Sequence, residues 1–465
     1  MNISPLKFGT IHLIGIGGIG MSGIAEILHS MGHTVQGSDM AENPNIQRLR
    51  EKGILVHVGH KAENIKGAAI IVPSSAVKAD NPEIMEARRQ DIPVIPRSEM
   101  LAELMRFKAS IAIAGTHGKT TTTSLVATVL SAGNIDPTVI NGGIINKLGT
   151  NAVVGKGNWM VVEADESDGT FVKVPCTIAV VTNIEPEHLD FYGSFDELRK
   201  QFLQFVQQIP FYGFSIICSD HPEIKRMIPK ITGRYYITYG FDKDAAVQVT
   251  NVRRSPKETK FDIIYKTKNI EIKDISLNLH GDHNILNSVV AIITGIELGV
   301  NVENIKEALS SFEGVKRRFT IAGHYNGATI VDDYAHHPTE IKAVLKAAKG
   351  IAPGKVVGVV QPHRYSRLKS LFEEFSQCYE DCDHIVLLPV HSAGEPNIIG
   401  IDHISLAKAI QAHYTKPIDI CNSTEELTKV LHNILKEGDY AICMGAGSIT
   451  NIAHDLEKNL KELDK

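Results

Sequence analysis

Residues 111–124 read IAIAGTHGKTTTTS, and their types and spacing point to phosphate chemistry. The run Ile111 to Ala114 has the composition of a buried strand. It turns through Gly115-Thr116-His117-Gly118-Lys119 and, past Thr120 and Thr121, is helix-compatible by Leu125. A strand, a glycine turn and a helix start aim backbone N–H groups at an anion, and the helix dipole favours its charge. Lys119 adds a point charge, and the Thr120 hydroxyl suits Mg²⁺. The full phosphate-loop pattern has four residues between its first glycine and the Gly-Lys pair. Here Thr116 and His117 alone separate Gly115 from Gly118, so the match is to a shortened form. The bland alternative is a glycine turn that merely starts a helix.

Other sets carry chemistry-bearing side chains. Gly15-Ile16-Gly17-Gly18-Ile19-Gly20 fits G-x-G-x-x-G after a strand pattern, and Asp39 lies 19 residues past Gly20. That suits a diphosphate on a helix N-terminus and an acid on a ribose hydroxyl, with a nicotinamide cofactor the default ligand. Glycines kept for strand–helix packing are the alternative. Glu163, Asp165, Glu166 and Asp168 crowd the end of the run WMVVEAD, where nucleotide domains place Mg²⁺ ligands; a solvated acidic loop is the alternative. His188, in TNIEPEHLD, is a second metal-ligand candidate or an ordinary loop histidine. Asn284 and Asn287, in HGDHNILN, share a helix face and can read an adenine edge, unless Asp282 or Asn284 simply caps the helix. Lys316-Arg317-Arg318-Phe319, DDYAHHP (332–338) and QPHRYSR (361–367) gather basic and aromatic groups past strand ends. They suit an anion or carboxylate, or a salt-bridged surface. Cys378, Cys382 and His384 lack a second ligand pair at zinc spacing and read as ordinary thiols near a histidine.

The elements that must position these groups alternate along the chain. Residues 8–108 carry strand patterns at 11–16, 34–39, 54–58, 69–75 and 93–96, with helices over 20–31 and 82–90. This is the rhythm of a parallel, doubly wound sheet. Residues 109–313 begin with the phosphate loop, add buried strands at 159–165 and 176–184 and a helix over 194–208, and make an antiparallel excursion between 233 and 279 before a helix over 284–299. Residues 314–465 return to alternation, with strands at 355–362, 384–390 and 440–447 and helices over 339–349, 366–380, 404–412 and 424–436. The chain thus reads as an α/β protein of three domains, 1–108, 109–313 and 314–465. With 465 residues, 43% hydrophobic, it can fill that many cores. Net charge is −5, so no basic field recruits nucleic acid or a membrane. No apolar run is long enough to span a bilayer, no signal-peptide core follows Lys7, and six scattered cysteines suit a reducing cytoplasm.

In this order, GTHGKTTTT, EADESDGTF, TNIEPEHLDFY, HGDHN and DDYAHHPTE resemble the Mur ligases of bacterial cell-wall synthesis over nearly the whole chain. The resemblance is strongest to their alanine-adding branch, which the segment 390–395 also resembles. It implies a Rossmann-like N-terminal domain holding a UDP-sugar rather than NAD, a P-loop ATPase-type central domain, and a Rossmann-like C-terminal α/β domain. It further implies ATP-dependent joining of L-alanine to the lactoyl carboxylate of UDP-N-acetylmuramic acid through an acyl phosphate, with two Mg²⁺ ions. On this basis Gly115, Thr116, His117, Gly118, Lys119, Thr120, Thr121, Asn284, Asn287, Arg318 and Asp333 are the ATP residues. Thr120, Glu163 and His188 are the metal ligands, and Lys119, Glu163, His188, Arg318 and Asp333 serve catalysis. Gly15, Gly17, Gly18, Gly20, Ser38, Asp39, Ser74 and Ser75 serve the UDP-sugar, and Tyr334, His337, His363, Arg364 and Arg367 the alanine. A cytoplasmic monomer or weak dimer is expected. The rival within the family is a recycling ligase that attaches a tripeptide to the same UDP-sugar. Several relatives carry a carbamylated lysine about 15 positions after the metal histidine. Here Leu203 stands there, with Lys200 one turn away, so no carbamate is expected.

Overall fold

The computed structural model describes residues 9–464 apart from Ser75, residues 147–149 and Asp168. Ser75 and Asp168, both named above as candidates, therefore lie outside the described residues. The chain divides into two compact units. One comprises Met1–Asn251, Phe261–Ile275 and Leu286–Glu313; the other comprises Val252–Lys260, Ser276–Ile285 and Gly314–Lys465.

The first sheet holds β1 (Thr10–Ile14), β2 (Val35–Asp39), β3 (Leu55–Val58) and β4 (Ala68–Pro73), in the order β3-β2-β1-β4. All its pairings are parallel. Strand order reverses between β1 and β4, which opens a crevice at their carboxyl ends. The helix Ile19–Ser30 follows β1 directly. The expected strand at 93–96 is reduced to one bridge, Val94 to Ile71, because Pro93 and Pro96 flank it and have no N–H to donate.

The second sheet has ten strands: β5 (Ala109–Ala114), β6 (Thr138–Ile145), β7 (Thr150–Val153), β8 (Trp159–Glu163), β9 (Ile178–Val181), β10 (Phe214–Cys218), β11 (Tyr235–Gly240), β12 (Val247–Arg254), β13 (Thr259–Tyr265) and β14 (Ile270–Leu277). Their order is β14-β13-β12-β11-β10-β9-β5-β8-β6-β7. Ile111 to Ala114 are fully buried, as a central parallel strand covered on both faces must be. The excursion expected to be antiparallel instead joins the sheet by a parallel edge: β11 runs parallel to β10 and to β12. The four-residue turns from β12 to β13 and from β13 to β14 leave room for hairpins and not for crossovers.

The third sheet holds β15 (Thr320–Tyr325), β16 (Ala328–Asp333), β17 (Val356–Val360), β18 (His384–Leu387), β19 (Ile418–Ile420) and β20 (Tyr440–Met444). Its order is β15-β16-β20-β17-β18-β19, parallel except for the β15–β16 hairpin. Apolar helices cover both faces. The helix expected over 366–380 is broken into Tyr365–Ser370 and Phe372–Ser376 at Leu371, whose φ of −120° leaves the helical region.

Candidate active site

Strand β5 lies between β8 and β9, with Ile113 opposite Glu163 and Ala114 opposite Val181. Three adjacent strand ends therefore bring together the GTHGKT turn, the acidic segment after Glu163 and the TNIEPEH segment. Gly118, at φ 82°, starts the helix Lys119–Ala132 with no side-chain cap. The first N–H groups of that helix are left for an anion. The neighbouring strand end holds the short loop in place. Thr182 Oγ1 and Asn183 Nδ2 both donate to the His117 carbonyl, at 2.7 and 3.0 Å, and His117 N donates to Asn183 Oδ1 at 2.8 Å. Thr116 Oγ1 accepts from Glu185 N at 2.8 Å. A methyl group on Gly115 would stand 2.0 Å from Thr182 Oγ1, and one on Gly118 would stand 2.7 Å from Asn287 Oδ1. Asn287 thus abuts the phosphate turn, whereas the Asn284 amide donates to the His280 carbonyl at 2.8 Å. Asp282 is the first residue of its helix rather than the cap, and it pairs with Arg254 and Lys346.

The Lys119 ammonium donates to both oxygens of Glu166, at 2.9 and 2.7 Å, and to the Gly115 carbonyl at 2.7 Å. Burial works against that charge. The carboxylates of Glu166, Asp165 and Glu163 outweigh it and hold Lys119 protonated, above its ordinary range. For Asp165, burial pushes upward, but the Lys119 charge, Ser167 N and the Arg97 guanidinium hold the carboxyl below its usual range. Glu163 Oε2 accepts from Gly142 N at 2.8 Å. His188 sits at φ 56°, with Nε2 3.9 Å from Glu166 and 4.0 Å from Glu187. Among the described residues, ligand atoms of Glu166, Glu187 and His188 lie within 4.8 Å of one another. The Glu166 and Glu187 carboxylates are oxygen donors of the kind Mg²⁺, a hard cation, takes, with the His188 imidazole beside them.

At the first sheet, Gly15 N and Ile16 N donate to the Ser38 carbonyl, and Gly17 N donates to Asp39 Oδ2 at 2.8 Å. Asp39 thus shapes the glycine turn. Ser74 stands across from it, its Cβ 3.0 Å from where a Gly15 methyl would be. The Ser38 hydroxyl, proposed for the UDP-sugar, is fully buried and directed elsewhere: it donates to Glu83 Oε2 at 2.6 Å and lies 3.0 Å from His60 Nδ1. A cleft of about 120 Å³ connects this turn to the catalytic strand ends, lined by Gly20 and Arg97 together with Asn141, Gly142, Glu163 and Asp165.

At the third sheet, Asp333 is buried, with one oxygen accepting from Phe319 N and the other from Ala335 N, each at 2.7 Å. Burial raises its carboxyl to about 6, against the pull of Arg318. Its carboxylate shapes the turn that presents Arg318. The Arg317 and Arg318 guanidiniums lie over the Tyr334 ring, 4.7 and 5.2 Å from its centre. His337, proposed for the alanine, is buried and caps the helix Pro338–Lys349: its Nδ1 accepts from Thr339 N, and Glu340 completes the box. His363 stacks on His391 at 5.4 Å, with Arg367 Nη1 3.4 Å from its Nδ1. Burial first, then the Arg367, His336, His391 and Arg364 charges, push the His363 imidazole down to about 4, so it is neutral at pH 7. Arg364, at φ 69°, donates its N–H to the His391 carbonyl.

Residues 10–109 match the Mur ligase family catalytic domain, 113–295 the Mur ligase middle domain and 317–447 the Mur ligase glutamate ligase domain. A UDP-N-acetylmuramate–L-alanine ligase of Sinorhizobium medicae is 55% identical over 463 residues, 99% of this chain and 98% of that protein. The chain belongs to the Mur ligase family. A ligase of the same name from Brucella anthropi is 52% identical to this Mur ligase, covering 99% of each chain. The crystal structure of the UDP-N-acetylmuramate–alanine ligase of Thermotoga maritima superposes with a TM-score of 0.80, at 29% identity, covering 98% of this chain and 100% of that one.

Four features at the centre of this Mur ligase were not read from the sequence: the pairing of Glu166, named there only among the candidate metal-site acids, with Lys119, Gly142 beneath Glu163, the Thr182–Asn183 clamp, and Arg97. Glu166 and the Thr182–Asn183 pair follow strand ends beside the phosphate loop, which is the signal that could have found them, whereas Gly142 lies inside β6. Arg97 carries no such mark. It starts the helix Arg97–Met105 behind Pro96, far in sequence from every glycine motif.

Proposed function

We propose that this Mur ligase uses ATP to join L-alanine to the lactoyl carboxylate of UDP-N-acetylmuramic acid, giving ADP and phosphate, in peptidoglycan precursor synthesis. The observation that carries the reading is the shared cleft. The glycine turn that would hold the diphosphate of a UDP-sugar and the Glu163 strand end beside the phosphate loop line one cavity. A sugar nucleotide seated there brings its carboxylate toward a γ-phosphate on Lys119. ATP phosphorylates that carboxylate; the alanine amine attacks the acyl carbon; a tetrahedral intermediate expels phosphate. Two anions must meet in the first step, so cationic groups are needed. Lys119 neutralises the phosphates, and the N–H groups at the start of the helix Lys119–Ala132 orient them. Thr120 and Glu163 would hold one Mg²⁺ and His188 a second; bound there, the ions supply charge neutralisation to the phosphoryl oxygens. We assign Asn284 and Asn287 to the adenine, Arg318 to the phosphates, and Tyr334, His363, Arg364 and Arg367 to the alanine. Holding the reactants in line supplies at best about 7–11 kcal/mol of the acceleration. No helix among the described residues is long and apolar enough to cross a membrane.

Phosphate release from ATP, measured with UDP-N-acetylmuramic acid and a panel of amines, tests the proposal. Release with L-alanine supports it. Release with a tripeptide and not with L-alanine transfers the chain to the recycling branch, and no release with any amine ends it.

A further inference from the structure

Arg97 stands where the cleft passes from the glycine turn to the catalytic strand ends. Its Nη1 lies against the start of the helix Ile19–Ser30, 2.5 Å from where a Gly20 methyl would be. It lines the cleft with Gly142, Glu163 and Asp165. Among the described residues its guanidinium makes no hydrogen bond and no ion pair within 4 Å, although its charge reaches Asp165. That is unusual, because a half-buried arginine normally spends its five donors on protein acceptors. The other cation near these strand ends, Lys119, is taken up by Glu166.

The two ends of the cleft make different demands. At the glycine turn the first N–H groups of a helix without a side-chain cap are placed to take the diphosphate of the proposed substrate. At the other end Glu163 and Asp165 are carboxylates, and an incoming carboxylate would be repelled unless a cation faced it. From these placements, and resting on the function proposed above, we infer that Arg97 binds the lactoyl carboxylate of the acceptor. It thereby sets the preference for UDP-N-acetylmuramic acid over sugar nucleotides that lack the lactoyl group. Arg97 holds the acid by two N–H donors until the carboxylate is phosphorylated.

The test compares two ligands that differ in that group alone. Calorimetric binding of UDP-N-acetylmuramic acid and of UDP-N-acetylglucosamine is measured on wild type, Arg97→Met and Arg97→Lys. Wild type is expected to prefer the muramic acid compound. Arg97→Met is expected to weaken that compound by roughly 10–100-fold, the scale of a charge-assisted pair. It should leave UDP-N-acetylglucosamine within about twofold, while Arg97→Lys restores part of the preference. ADP affinity, unchanged in both variants, shows that the fold is intact. Equal weakening of both sugar nucleotides moves Arg97 to the diphosphate and overturns the inference, as does undiminished preference in Arg97→Met. A wild type that releases phosphate with L-alanine but shows no preference overturns this inference alone. A wild type that releases none removes the proposed function itself.

Discussion

Glu166 holds the Lys119 ammonium that the proposed function assigns to a phosphate: both of its oxygens lie within 2.9 Å of the ammonium, and its side chain is 1% exposed. A buried pair of this kind gains its Coulomb energy against a large desolvation cost. Removing one partner strands the other, at roughly 3–5 kcal/mol. If ATP binds as proposed, nucleotide entry exchanges one anion for another on Lys119. Glu166→Gln removes the one carboxylate bonded to Lys119 and leaves only the charges of Asp165 and Glu163, so the empty protein should melt lower by several degrees. ADP should then raise the variant's melting temperature more than it raises that of wild type. Equal shifts on adding ADP would mean that Glu166 and the phosphates do not compete for Lys119.

Gly142, inside β6, supports Glu163 from the adjacent strand. Its N–H donates to Glu163 Oε2, and a methyl group there would stand 2.5 Å from Oε1. Its φ is not in the left-handed region, so alanine meets no backbone strain at this position. Gly142→Ala should displace the Glu163 carboxylate, cutting kcat by about 10–100-fold and raising the Mg²⁺ concentration needed for half-maximal rate. Stability to urea should change by less than about 1 kcal/mol. A large stability loss with an unchanged Mg²⁺ requirement would make Gly142 a packing residue.

The strand–turn–helix units were legible because each announces itself locally: an apolar run, a glycine, a helix period. That logic placed β1, β5, β8 and β9 and, through them, the three adjacent strand ends that lead into the segments carrying Lys119, Glu163 and His188. It failed where a partner is set by tertiary geometry. Ser38 sits at a strand end beside the glycine turn, as a ligand residue would, yet β2 turns its hydroxyl inward to Glu83. His337 follows a basic, aromatic run but is spent on a helix cap. The excursion after residue 233 alternates as an antiparallel ribbon does, but its first strand pairs by edge availability, on the open side of β10. Arg97 could not be found at all, since nothing in Pro96-Arg97-Ser98 tells which cleft the guanidinium enters.

Lys200 should carry no carbamate. It lies on the exposed face of the helix Phe195–Gln207, 73% exposed, with its ammonium 3.2 Å from Glu197. A carbamate there would face solvent and Glu197, whose negative charge opposes it. ¹³C-bicarbonate added to the protein should give no carbamate resonance, and Lys200→Ala should keep wild-type activity within about twofold. A CO₂ adduct on Lys200, or activity restored to that variant by carboxylate additives, would contradict this.

Glu83 should make the stability of the first sheet fall in acid. Its Oε2 accepts from Ser38 and lies 3.1 Å from His12 Nε2, and its Oε1 accepts from Asn64 at 2.6 Å and from Lys61 N at 3.2 Å. Burial alone would raise this carboxyl. The bonds from His12, Ser38 and Asn64 outweigh it and bring the value down to about 2. In the unfolded chain the carboxyl titrates in its ordinary range, near 4.5. The folded protein therefore binds fewer protons than the unfolded chain between those values. The stabilisation is complete above the unfolded value and is lost as pH falls toward about 2. At pH 3 the loss is at most about 2 kcal/mol, less whatever screening reaches the pair past the partly exposed His60. Glu83→Gln keeps the shape and the acceptor for Asn64 but has no proton to bind. Urea unfolding of the two proteins should differ by about 1–2 kcal/mol more at pH 6 than at pH 3. A constant difference across that range would show that folding leaves the Glu83 carboxyl unshifted, and a difference that shrinks toward pH 6 would show that His12 and Ser38 hold a protonated acid.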